Sequence, residues 1–147
     1  MINLLPGFSY FYLEPHVLSL FPRLAHLQIT MMSEIYNLFR REYTEDVDEL
    51  TTFWENIMVK NVLPAVNASS TLTSLVLHNK SSACIFPAVA FDALTFSHLT
   101  LLSLGRIVFY KTTGTEEFII RHKSTLTELE LYQCMVGTVE EGVSPRF

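Results

Sequence analysis

One short phrase recurs at a fixed distance, and it constrains this chain more than any other feature. The phrase is Leu-x-x-Leu-x-Leu, written as Leu72, Leu75, Leu77, then Leu99, Leu102, Leu104, then Leu126, Leu129, Leu131. Leu72 and Leu99 lie 27 residues apart, and so do Leu99 and Leu126. A constant period in the range of about 20–29 residues marks one supersecondary unit used several times. One such unit cannot bury its own apolar face, so neighbouring units stack and bury it for each other. The alternation that ends each phrase puts its last two leucines on one face of a strand and the residues between them on the other.

A fourth copy, Leu24, Leu27, Ile29, precedes these, but Leu24 to Leu72 is 48 residues and breaks the period. No further phrase occurs in 31–66, so a helical insertion over about 31–66 is the reading adopted over a degenerate repeat. Thr44 is placed to cap a helix, and Glu45, Asp46, Asp48 and Glu49 put negative charge in its first turns. Val47, Leu50, Trp54, Ile57, Met58 and Val62 share one face at three- and four-residue steps, which predicts a helix over 45–63 stopped by Pro64. Residues 80–98 are expected to be irregular. Thr113 to Glu116 has the form of a capping box, followed by a short helix whose basic end includes His122 as a charge partner of the helix dipole. Residues 1–20 read as an N-terminal arm, 21–134 as the repeats with their insertion, and 135–147 as an incomplete tail, all in one domain. The last phrase then ends the stack, and its strand edge is expected to self-pair or to be covered by 135–147.

Hydrophobic residues make up 49% of the 147 residues and charged ones only 17%, which argues against a disordered chain. The net charge is −5 and Arg40-Arg41 is the one adjacent basic pair, so neither a nucleic-acid footprint nor a polybasic membrane anchor is present. The apolar N-terminus has no basic residue before Arg23, unlike a signal peptide. No apolar run approaches the ~18 residues needed to span a bilayer. The chain is therefore expected to be intracellular, cytoplasmic or nuclear. Cys84 and Cys134 belong to no C-x-x-C or Cys/His cluster and are read as reduced thiols.

Stacked strands would place His26, Ser74, Leu101 and Glu128 in one row of the open face. Gln28, Val76, Ser103 and Glu130 form the next, and Thr30, His78, Gly105 and Tyr132 the third. The protein-binding candidates are His26, Gln28, Ser74, Val76, His78, Leu101, Ser103, Glu128, Glu130 and Tyr132. The acidic pair with Tyr132 suits a basic or amphipathic segment. No histidines stand at H-x-x-x-H spacing, and no G-x-S-x-G, P-loop or G-x-G-x-x-G occurs. No catalytic, cofactor-binding or metal residue is assigned, and no enzyme activity is expected.

The phrases resemble the leucine-rich repeats of fungal F-box-type proteins. The stretch Glu116 to Cys134 carries the likeness most fully, since Cys134 completes the pattern L-x-x-L-x-L-x-x-N/C; His98 to Leu104 and Thr71 to Leu77 support it. The resemblance implies an α/β leucine-rich repeat solenoid: a short curved parallel sheet on the concave side, helices and irregular segments on the convex side. It also implies a protein-recognition module like the substrate-binding repeats of a ubiquitin-ligase receptor. Only twenty residues precede Phe21, too few for an F-box of some forty, so a ligase adaptor is a partner only if an F-box lies elsewhere. The alternative is a stand-alone structural or scaffolding repeat protein, or a fragment without activity of its own.

Overall fold

A computed structural model describes residues 2–4, 19–31, 51–68, 71–80 and 86–137. The strands are β1 (Ile2–Leu4), β2 (His26–Met31), β3 (Ser74–Asn79), β4 (Leu101–Gly105), β5 (Val108–Phe109), β6 (Glu128–Tyr132) and β7 (Met135–Val136). Between β2 and β3 a π-helical segment (Thr52–Val62) runs into α1 (Leu63–Asn67); between β5 and β6 lie a 3-10 turn (Lys111–Thr113) and α2 (Thr115–Arg121). The architecture is α/β. One parallel sheet carries β1, β2, β3, β4 and β6 side by side in chain order, and β5 pairs with β7, also in parallel.

The register follows the sequence period. Ser74 faces Leu101 and Leu101 faces Glu128, so one step across the sheet is one 27-residue unit. The β5–β7 pair keeps the same step, Val108 against Met135. β2 pairs directly with β3, His26 against Ser74, so no strand from the 48-residue gap enters the sheet between them. β1 adds to the outer edge of β2, with Ile2 opposite Ile29, at a position the sequence reading left as an unplaced arm.

Leu27, Ile29, Leu75, Leu77, Leu102 and Leu104 line the inner face of the sheet and are almost wholly buried. Opposite them in the core stand Phe53, Trp54, Ile57, Met58, Val62, Leu63 and Val66 of the helix, and Val89, Phe91, Leu94, Phe96 and Phe118 further along. Each leucine so buried contributes roughly 1.5–3 kcal/mol relative to exposure. Phe118 is the hub of an aromatic group, 4.8 Å from Phe91 and 6.0 Å from Phe96 between ring centroids. The segment between β3 and β4 is irregular where it is described, yet buries these aromatics; Arg121 anchors it by donating to the carbonyls of Leu94 (2.5 Å) and Asp92 (3.1 Å).

Three local expectations need correction. The helix does not stop at Pro64 but continues to Asn67. Pro64 falls at the first turn of α1, where its fixed φ fits and its missing N–H matters least, and the Leu63 N–H reaches back five residues to the Met58 carbonyl. The expected start at 45–50 lies outside the described residues. Thr113 does not cap α2. Gly114 stands at the helix start with φ 62°, and the turn it makes leaves the Thr113 hydroxyl bonded to Tyr110 and Thr115 instead. Lastly, residues 135–136 do not cover β6: they pair with β5. Residues 138–147 lie outside the described part.

Candidate protein-binding face

The register brings the candidate residues together as three rows. His26, Ser74, Leu101 and Glu128 are successive partners, as are Gln28, Val76, Ser103 and Glu130, and Thr30, His78, Gly105 and Tyr132. Parallel pairing at a constant step explains this, because a strand residue keeps its face when the register moves by whole units. His26, Glu128, Glu130 and Tyr132 are exposed, while Gln28, Ser74, Val76, His78 and Leu101 are half-buried. Ser103 differs from expectation: it is only 2% exposed, so it does not offer a contact of its own.

The reason is a hydrogen-bonded chain across three strands. His78 Nε2 lies 2.8 Å from Ser103 Oγ, and Ser103 Oγ donates to Glu130 Oε2 at 2.7 Å. With its proton committed to the carboxylate, the hydroxyl accepts from the imidazole N–H. In this arrangement the histidine is the donor, and the oxygen is covered by its neighbours. Gly105 makes the arrangement possible, since a Cβ there would lie 2.8 Å from Cδ2 of His78. Burial lowers the His78 pKa from its ordinary value, the charge of Lys80 lowers it further, and Glu130 pulls it back up.

A second device was not anticipated. The residue after the first leucine of the three evenly spaced phrases is Thr73, Thr100 or Thr127, and these hydroxyls form a ladder of their own. Thr73 Oγ1 donates to Ala25 O (3.0 Å), Thr100 Oγ1 to Thr73 O (3.0 Å) and Thr127 Oγ1 to Thr100 O (3.2 Å). Each of those carbonyls also takes two backbone N–H groups from the same rung. The repeated Leu-Thr dipeptide was the visible signal. At the other end of the rung, Cys134 Sγ donates to Leu104 O at 3.3 Å, a bond from the last rung to the one before it. Cys134 is a free thiol, and Cys84 lies outside the described residues.

His122 also departs from its expected role. It is buried, at 3% exposure, with Nδ1 on the Phe118 carbonyl (2.7 Å) and Nε2 accepting the Phe96 N–H (2.8 Å). These partners select the Nδ1–H tautomer and make the ring a strut between α2 and the irregular segment. A concavity of about 810 Å³ lies elsewhere, between β5, β7 and α2, where Tyr110, Lys111, Glu117, Ile120 and Val136 line it. Among the described residues no group of three or more His, Cys, Asp or Glu is placed to hold a metal ion, and no helix is long and apolar enough to cross a membrane. No family model matches the chain, and no curated protein or solved structure matches it.

Proposed function

We infer that the chain is a protein-recognition module built as a leucine-rich repeat solenoid, of the kind that holds substrates in F-box-type ubiquitin-ligase receptors. The observation that carries this reading is the register. Four strands in chain order present their non-core residues as three continuous rows on one open face. Parallel repeats on a common face give an extended surface whose side chains vary while the scaffold stays constant, which is how repeat proteins bind other proteins. The polar chain from His78 through Ser103 to Glu130 ties three strands of that surface together and leaves one carboxylate oxygen of Glu130 outside the chain.

Affinity capture with the full chain tests the reading. Gln28, Val76 and Leu101 are half-buried residues of three adjacent strands. The triple variant Gln28→Lys, Val76→Lys, Leu101→Lys should lose specifically captured proteins while its unfolding midpoint stays within a few degrees. An unchanged set of captured proteins on a folded triple variant would sink the proposal. Recovery of a ligase adaptor among them supports the receptor form; recovery of other partners only supports a scaffold.

A further inference from the structure

Among the described residues β6 is the last strand of the sheet, and it lies in the middle of the sheet's own pattern. The carbonyls of Ala25, Thr73 and Thr100 each accept three donors from the next rung: two backbone N–H groups and a threonine hydroxyl. The next carbonyl in that series is that of Thr127, and no described residue supplies its set. The apolar series breaks at the same place. Leu75, Leu77, Leu102 and Leu104 are fully buried, whereas Leu129 and Leu131, their register partners, are 45% and 48% exposed. On the other face Glu128 and Glu130 have no cationic partner among the described residues, and Tyr132 is exposed beside them.

We propose that β6 is a docking edge for an extended strand of a partner polypeptide, added parallel to β6, with the pattern Thr/Ser, Lys/Arg, aliphatic, Lys/Arg, aliphatic. The register dictates each position. A hydroxyl residue level with Thr127 supplies the missing donors to its carbonyl, as Thr127 does for Thr100. The next residue stands opposite Glu128 and the second after it opposite Glu130, so both are cationic. The two between and beyond stand opposite Leu129 and Leu131, so both are aliphatic. Main-chain bonds to an open sheet edge give such a strand its affinity, and the alternating side chains give it selectivity.

Charge decides among the occupants. In a second copy the residues at the two cationic positions are His26 and Gln28, Ser74 and Val76, Leu101 and Ser103, or Glu128 and Glu130, with no Lys or Arg in any rung. Residues 138–147 carry Glu140 and Glu141 against a single Arg146, a net charge of the same sign as the edge. The inference rests on the reading of the chain as a binding module, but it concerns the edge of the sheet and not its open face.

Fluorescence anisotropy with a labelled peptide, Thr-Lys-Leu-Lys-Leu between Gly-Ser flanks, tests it on the full chain. The peptide should bind saturably, and its reversed and scrambled forms on the order of tenfold more weakly. The substitution Glu128→Lys touches no described contact; it should weaken binding by on the order of tenfold as well, with the unfolding midpoint unchanged. The double open-face variant Gln28→Lys, Val76→Lys, confined to β2 and β3, should bind the peptide normally, which separates failure of the edge from failure of the face. Equal binding of the reversed or scrambled peptide, or no binding at all, would overturn the proposal. So would binding that appears only after removal of residues 138–147, or self-association of the chain that Leu129→Asp abolishes.

Discussion

Leu102 and Leu129 are the same residue type at the same place in the repeat, opposite each other across β4 and β6, and yet truncating them should cost very different amounts. Leu102 is wholly buried, with Leu75 on one side and Leu129 on the other. Leu102→Ala removes buried methyl groups and leaves a closed cavity, so it should cost about 3 kcal/mol. Leu129 keeps 45% of its surface in water, so only about half of a leucine's burial energy, ~1 kcal/mol, is at stake. No closed cavity forms there, because solvent can enter the gap. Trp54 is the one tryptophan and is completely buried, so its emission reports unfolding directly. Urea titrations should show the midpoint of Leu102→Ala falling about three times as far as that of Leu129→Ala, with an unchanged slope. Equal losses would refute the reasoning, since they would mean that the β6 edge is covered in solution.

Three shorter predictions follow from single residues. Gly105→Ala drives a methyl into the His78 ring and should destabilise by about 1–3 kcal/mol; in a His78→Ala background most of that loss should vanish, as a double-mutant cycle by chemical denaturation would show. Gln133 holds φ 49° at an exposed site, so Gln133→Gly should raise stability by about 0.5–1 kcal/mol in the same assay; a loss would show that its side chain matters in a way the structure does not indicate. The lowered pKa of His78 makes the unfolded chain the better proton binder, so stability should fall as pH drops from about 6.5 toward the folded-state value and level off below it. His78→Gln should flatten that slope, and an identical slope in both proteins would rule out His78 as its source.

Much of the sheet was legible because its information is periodic. Three phrases at one spacing specify which residues are neighbours, and a parallel sheet at constant register then follows with all three rows of the open face. The gap between Leu24 and Leu72 was legible for the same reason: a period that is broken leaves room for something else, and Trp54, Ile57, Met58 and Val62 do pack inward from a helix there. What failed were the local stops. Pro64 reads as a helix terminator in isolation, but at the first turn of a new helical segment it is tolerated. Thr113 reads as a cap, but one glycine with positive φ redirects its hydroxyl. Pattern says which residue types are suited to an end, while the backbone turn decides whether the end is there.

The candidate face shows a different boundary of what pattern carries. Alternation assigned Ser103 to the open side correctly, because side-chain direction is a property of one strand. Its burial is a property of three strands, since His78 comes from β3 and Glu130 from β6, and the two close over the hydroxyl only because Gly105 lacks a side chain. Nothing in the spacing of His78, Ser103 and Glu130 announces that contact: His78 belongs to the third row and the other two to the second. The diagonal reach between rows is set by side-chain length and by the empty space over a glycine. The threonine ladder, by contrast, repeats at the full period and was readable in principle from Thr73, Thr100 and Thr127 alone. Features that recur with the repeat are therefore open to sequence reasoning, while features made once, between rows, need coordinates. His78, Ser103 and Glu130 form such a feature, and it is where this chain departs from a generic stack of its own units.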